Sequence, residues 1–271
     1  MTGVQTCALP ICGRRDKAFI AIKFGAQRSP DGRFMGDDGH PHSVKNFLSY
    51  TLKRLGTDYV DLYQPARLDP DTPIEDTVGA IADMVKAGYV RHIGLSEVGA
   101  KTIRRAAKVH PIAALQIEYS LLSRSIEAEI LPTIRELGIA LVPYGVLSRG
   151  LLSDTAGASQ SVGEIRSRQP RFQPGNFEKN IALVNALKAI AKEKGCTTAQ
   201  LAFAWVRSRG DDIVTLVGAR RRDQLKEGLG SLAVSLSAAD LARIEQAVPK
   251  GAAAGERYMP AVMAHMDSEH H

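Results

Sequence analysis

From Arg15 onward, short apolar runs alternate with longer stretches in which apolar residues recur every three or four positions. Strands buried in a parallel sheet, and the amphipathic helices that cover them, leave this pattern in a sequence. The first run, residues 19–24 (FIAIKF), stops at Gly25 and leads into a Gly-, Asp- and His-rich loop reaching His42. Ser43 is placed to cap a helix running to Leu55, with Gly56 as its terminator. Residues 60–66 (VDLYQPA) form the second run. The next helix is capped by Asp71 or Thr72, with Pro73 in its first turn, and runs to Ala87 before Gly88.

The third to sixth runs are residues 92–97, 114–120, 139–146 and 213–219. Helical periodicity fills residues 100–109, 127–137, 178–194, 198–209 and 223–232, and Ser237 caps a last helix to Val248. A Ser/Gly/Arg/Pro-rich loop covers residues 148–176. Strand and helix in alternation predict an α/β fold with a parallel sheet, and without repeats or a linker one domain is the simplest division.

Polar residues gather where the runs end: Lys23, Gln64, Ser96, Glu97, Gln116, Glu118, Tyr144 and Arg220. In barrels of parallel strands the carboxyl ends carry the chemistry. Lys23 is the most telling of these, because an ammonium at the end of a strand buried on both faces is costly unless paired or used. The alternative is a solvated lysine at a strand terminus.

Composition narrows the classes. With 44% apolar and 24% charged residues among 271, the chain has the balance of a folded soluble protein. No apolar stretch approaches the roughly 18–20 residues of a membrane span. Cys7, Cys12 and Cys196 lack metal-ligand spacing and leave an odd count, which predicts neither a disulfide framework nor a zinc site and fits the cytoplasm.

The net charge of +6 is spread along the chain, apart from Arg166/Arg168/Arg171 and Arg220/Arg221/Arg222. Without interleaved aromatics or a nucleic-acid module, those clusters suit small anions such as phosphates, or a solvated basic face. Residues 1–12 (MTGVQTCALPIC) match nothing after them in character and read as a non-native leader resembling translated sequencing adapter. Native sequence is expected from Gly13 or Arg14.

Several segments together resemble the aldo-keto reductases: IAIKFG, SYTLKRLGTDYVDLYQPARLDP, GAIADMVKAGYVRHIGLSE, LQIEYSLLSR, YGVLSRGLL, PRFQPGNFEKN, TTAQLAFAWV and GARRRDQLKEGL, all in one order. The resemblance implies a (β/α)8 TIM barrel that reduces an aldehyde or ketone with NADPH, and it covers the third strand to the C-terminal helix and tail. The first two βα units, with the family's aspartate and proton-donating tyrosine, are expected to be lacking.

Lys23 takes the position of the catalytic lysine, whose ammonium favours phenolate and so lowers a tyrosine pKa. Ser96, Glu97 and Gln116 fall at the nicotinamide carboxamide, and Tyr144 at the ring that stacks on the nicotinamide. Gly145, Val146, Leu147, Ser148 and Arg149 form the loop crossed by the pyrophosphate. Gly218, Arg220 and Arg221 fall beside the 2′-phosphate, and Gln224 and Glu227 at adenosine contacts.

The chain departs from the pattern at Ala66, in place of an orienting histidine, at Glu97, in place of an asparagine, and at Gly228, also commonly asparagine. His40 or His42 is a candidate substitute for the imidazole, or a loop residue. Trp205 reads as core, and Met259, Met263 and Met266 as either a cover over the barrel mouth or a frayed tail. The expected partner is a small-molecule carbonyl, with no nucleic acid or membrane, on a monomer or weak homo-oligomer. A barrel that binds NADPH without turnover, and an inactive fragment, are the alternatives.

Overall fold

The structure, a computed structural model, describes residues 13–154 and 164–269. The expected leader at residues 1–12 therefore lies outside the described residues. The chain divides into two compact units. The first comprises the chain up to Gln116, residues 133–139 and the tail from Met266, and the second comprises residues 117–132 and 140–265. No described helix is long and apolar enough to cross a membrane.

In the first unit, β1 (Ala21–Phe24), β4 (Val60–Pro65), β5 (Val90–Ser96) and β6 (Ile112–Glu118, up to Gln116 in this unit) follow one another in a parallel sheet. Their registers place Lys23 opposite Gln64 and Ser96 opposite Gln116. Every residue of β4 is buried, including Asp61 and Gln64. Asp61 is tolerated there because its carboxylate accepts the Ile20 N–H (2.8 Å), Arg15 Nη2 (2.7 Å) and Arg91 Nη1 (2.9 Å). The same two guanidiniums lie 3.9 and 4.0 Å from the centroid of the Tyr59 ring.

β1 corrects an expectation: it is not buried on both faces. Ala21 and Lys23 are exposed, and Phe24 is buried, stacked on Tyr63 with ring centroids 4.4 Å apart. The cause is that β4 is its only neighbour among the described strands.

The expected loop before His42 contains an antiparallel hairpin, β2 (Ala26–Arg28) and β3 (Phe34–Asp37). Ser29-Pro30-Asp31-Gly32 supplies its turn, with the Gly32 N–H donated to the Ser29 carbonyl at 2.8 Å.

Helix α1 (Pro41–Leu55) begins two residues before the expected start. His40 stands at its cap, and the fixed φ of Pro41 suits the first turn. In α2 (Ile74–Lys86), Pro73 occupies the cap position itself. The preceding loop is tied by Asp69, which accepts from the N–H groups of Gly39 (2.8 Å) and Asp71 (2.9 Å) and from Thr72 Oγ1 (2.8 Å). Helix α3 (Ala100–Val109) buries Thr102, Ile103 and Ala106. A fourth helix, α4 (Ile130–Glu136), has its last residues in this unit.

The second unit holds β7 (Ala140–Tyr144) and the helices α5 (Asn176–Glu193), α6 (Thr198–Arg207), α7 (Arg222–Gly230) and α8 (Ala238–Ala247). Helix α5 buries Asn180, Val184, Leu187, Ile190 and Ala191, a stripe at helical spacing. Helix α6 is buried from Thr198 through Val206 except at Gln200, and Trp205 packs on Tyr119 at 5.5 Å, which makes it a core residue. Ser237 caps α8 as the sequence predicts, accepting the Asp240 N–H.

The sixth apolar run is not a full strand. Beyond an isolated bridge between Ile213 and Leu141, it is held to β7 by bonds from Leu141 N–H to Asp212 O, Val214 N–H to Leu141 O and Leu216 N–H to Pro143 O. The rung between the last two of these bonds would take an N–H from residue 143 to the Val214 carbonyl, and proline has none, so the ladder has a gap there.

Candidate functional site

In the first unit the functional candidates lie at the carboxyl ends of β1, β4, β5 and β6. Water reaches the Lys23 side chain, but the protein around it disfavours the ammonium and pushes its pKa down to about 8. Arg67 adds repulsion in the same direction, and Glu97 opposes it. Near pH 8 the amine is therefore close to half protonated. Asp37 is pushed the other way: burial raises its carboxyl, against the pull of Arg67.

Ser96 and Gln64 are fully buried, and neither Ser96 Oγ nor Gln64 Oε1 has a hydrogen-bond partner in the fold. Orphaned polar atoms of this kind are rare in interiors and costly unless something satisfies them. A Cβ at Gly94 would meet Gln64 Oε1 at 2.8 Å, so this strand position admits only glycine without rearrangement.

Glu97 has no solvent exposure and a φ of 53°, the left-handed region that a non-glycine residue enters at a cost of about 1–2 kcal/mol. Its N–H is donated to the Gln116 carbonyl at 3.1 Å, and its carboxylate Oε2 accepts from Ser268 Oγ at 2.9 Å. Ala66 offers no side-chain donor, as the sequence anticipates. The His40 and His42 rings meet at a tilt of 44° with centroids 4.2 Å apart.

In the second unit a cavity of about 530 Å³ opens among the β7 loop, α6 and the start of α7. That volume suits a small-molecule site. Gly145, Val146, Leu147, Arg149, Gly218, Arg220, Arg221, Gln224 and Glu227 all line it, so the fold gathers sequence positions that lie more than seventy residues apart. Gln224 Oε1 accepts the backbone N–H groups of Arg220 (3.0 Å) and Arg221 (3.2 Å), which fixes the basic pair at the N-terminal end of α7. The Arg221 guanidinium is engaged by Asp223 at 2.9 Å. Gly228 lets the helix approach the preceding segment: a Cβ there would stand 2.7 Å from Val217 Cγ1.

Two expected residues stand outside the lining. The Ser148 hydroxyl is buried against Ser120 Oγ at 3.1 Å, and the Tyr144 hydroxyl meets that of Tyr258 at 2.9 Å. Ser148 and Arg149 both have positive φ, giving the loop its sharp turn. The basic cluster at 166–171 divides. Arg166 lines the cavity, but Arg171 is no phosphate ligand here. It is buried, donating to Ser123 Oγ (2.8 Å) and the Leu122 carbonyl (2.7 Å), 3.7 Å from the buried Glu118 carboxylate. Arg257 also approaches Glu118, at 3.5 Å. Burial lowers the Arg171 pKa, and Glu118 opposes that shift.

Gly145, with φ of 67°, passes so close that a Cβ would lie 3.1 Å from Glu118 Cγ. The sequence offered Arg171 and Glu118 as polar residues but not as partners. Tyr258 and Ser268 carried no local signal.

A model of the aldo/keto reductase family matches residues 10–249. A Glycine max protein named probable aldo-keto reductase 1 is 45% identical over 248 residues, which span 90% of this chain and 70% of the relative. The aldo-keto reductase yakc [NADP(+)] of Schizosaccharomyces pombe is 40% identical over 253 residues, spanning 92% of this chain and 74% of its own. Among solved structures, the glycerol dehydrogenase AKR11B4 from Gluconobacter oxydans superposes with a TM-score of 0.83 at 25% identity, covering 91% of this chain and 77% of that one. The thermostable aldo-keto reductase Tm1743, in complex with the inhibitor epalrestat, gives 0.72 at 26% identity, covering 90% and 77%. These neighbours share an α/β architecture with a parallel sheet.

Proposed function

Because the chain belongs to the aldo/keto reductase family and so to the oxidoreductases, we propose that it uses NADPH to reduce the carbonyl of an aldehyde or ketone to an alcohol. The observation that carries the cofactor assignment is the second unit's cavity, lined by the positions that the family resemblance links to the pyrophosphate, 2′-phosphate and adenosine. Its lining carries the guanidiniums of Arg149, Arg166, Arg220 and Arg221, a donor set suited to phosphates. In the first unit the unpartnered Ser96 Oγ and the side chain of Gln116 are the groups proposed for the carboxamide, which both donates and accepts.

When bound, NADPH supplies the hydride, and the alkoxide then takes its proton from the Lys23 ammonium or from the water that reaches it. The residues of this chain bind and polarise. Lys23, with its pKa of about 8, stays mostly protonated at neutral pH and offers a positive charge that favours a neighbouring phenolate or alkoxide. Burial and then Arg67 work against that charge, and Glu97 offsets part of their effect. With Ala66 at the usual imidazole position, orientation of the carbonyl falls to other donors.

NADPH titration followed by fluorescence and thermal melting tests the assignment. Cofactor at a hundred times its Kd adds about 2.7 kcal/mol of apparent stability, which for a chain of this size raises Tm by roughly 5–10 °C. No shift at saturating NADPH refutes it. A second reading, NADPH binding without turnover, is favoured by Ala66, and binding without activity across an aldehyde panel would select it.

A further inference from the structure

We infer that Ser268, brought in by the C-terminal tail, is a positioning residue that sets the Glu97 carboxylate for its work on Lys23. The inference deepens the proposed reductase reading, and its geometry lies wholly within the first unit.

The tail is built to seat. Met266 and Ser268 are buried to within 3% of complete, although both lie within six residues of the chain's end. Between them, Asp267 Oδ2 accepts the N–H of Gly99, the residue just before α3, at 2.7 Å from 168 positions away. That contact fixes the tail two residues beyond Glu97. Ser268 Oγ then donates to Glu97 Oε2 at 2.9 Å.

Glu97 needs such a fixture. Its left-handed backbone persists only where the surroundings over-determine it, and two bonds do so: its N–H to the Gln116 carbonyl and its carboxylate from Ser268. A fully buried carboxylate also requires donors to remain charged. Among the described residues, Arg67 works against the charge on Lys23 and Glu97 favours it, while Asp267 faces Arg105 of α3. Glu97 is a counter-charge to Lys23, and Ser268 donates to it.

Competitive acetylation of lysines across pH, read by mass spectrometry without cofactor, measures the Lys23 pKa directly. Ser268→Ala is expected to lower it by about half a unit, because the counter-charge is less firmly held. Ser268→Thr, which keeps the hydroxyl, is expected to restore the wild-type value. Glu97→Gln is expected to lower it at least as far, and adding Ser268→Ala to Glu97→Gln to change nothing more. If S268A proves unfolded by circular dichroism, Ser268→Cys, of similar volume and weaker donor strength, is read in the same way.

The inference is overturned if S268A leaves Lys23 at its wild-type pKa, or if S268A shifts it equally with and without Glu97. NADPH titration of the same samples reports separately on the cofactor assignment, so either can fail alone.

Discussion

Replacing Arg220 by alanine tests the proposed preference for NADPH over NADH. Arg220 and Arg221 both stand at the start of α7, but their charges are not equally available. Arg221 is bonded to Asp223 at 2.9–3.2 Å, whereas the Arg220 side chain has no such partner among the described residues. Gln224 pins the backbone of both, so the loss of one guanidinium leaves the turn in place.

A charge-assisted hydrogen bond to phosphate is worth about 1.5–3 kcal/mol. Arg220 is exposed, and screening at physiological salt, with a Debye length of about 8 Å, brings the expected value towards 1–1.5 kcal/mol. That corresponds to a loss of about 5- to 15-fold in NADPH affinity, at 1.4 kcal/mol per decade. NADH lacks the 2′-phosphate and should change by less than about twofold. Arg221→Ala should cost NADPH less than Arg220→Ala, since Asp223 already offsets part of its charge. Isothermal titration of both cofactors against both variants, repeated at high salt where the gap should narrow, provides the measurement. Equal losses for NADPH and NADH, or none for either, would refute the assignment of this pair to the 2′-phosphate.

Three further outcomes are expected. Asp61→Asn strips a buried carboxylate from between two guanidiniums and should cost about 2–4 kcal/mol, lowering Tm by roughly 5–15 °C by circular dichroism, and a shift under 1 °C contradicts the role. Burial opposes ionisation of Asp61, but the Ile20 N–H and then Arg15 and Arg91 outweigh it and hold its carboxyl below the usual range. With a folded pKa below the unfolded one, its contribution is present above about pH 4 and fades as pH falls through the folded value, so the gap between wild type and D61N should close in acid. Gly228→Ala should lose about 1–2 kcal/mol of stability and weaken NADPH binding by crowding Val217, and Val217→Ala in the same chain should recover both, as melting and titration would report.

What could be read in the sequence was what is specified locally. The stripe of α5, the capping box of Ser237 and the helix stops at Gly56 and Gly88 depend on residues within one or two turns, and they stand where the pattern put them. The residues that the family likeness proposes for the cofactor were named from the sequence, and the fold brings most of them to one cavity.

What escaped depends on partners distant in sequence. Residues 213–219 have the composition of a strand, but Pro143 on the neighbouring segment leaves out one rung, and among the described residues no backbone bond joins the two segments past Leu216. Arg171 was recognised as a cation, yet burial beside Glu118 gives it a structural role. The hairpin before α1 was missed although Ser-Pro-Asp-Gly spells a turn, because its strands are too short and too polar to carry a period. Ser268 meets Glu97 across 171 positions, and nothing near either residue announces the contact.

The last bond that ties this segment to β7, from the Leu216 N–H to the Pro143 carbonyl, has a mechanical consequence. Past Leu216, the next backbone tie among the described residues is the cap that Gln224 places on Arg220, so residues 217–219 span the gap as an unbraced cord. A cord of this kind exchanges its amide hydrogens readily and holds more conformational entropy than a laddered strand. The arginines beyond it are delivered to the cavity on a compliant arm, and an anion that clamps them must also still that arm. Binding of such an anion is expected to set a favourable enthalpy against the entropy of ordering this segment.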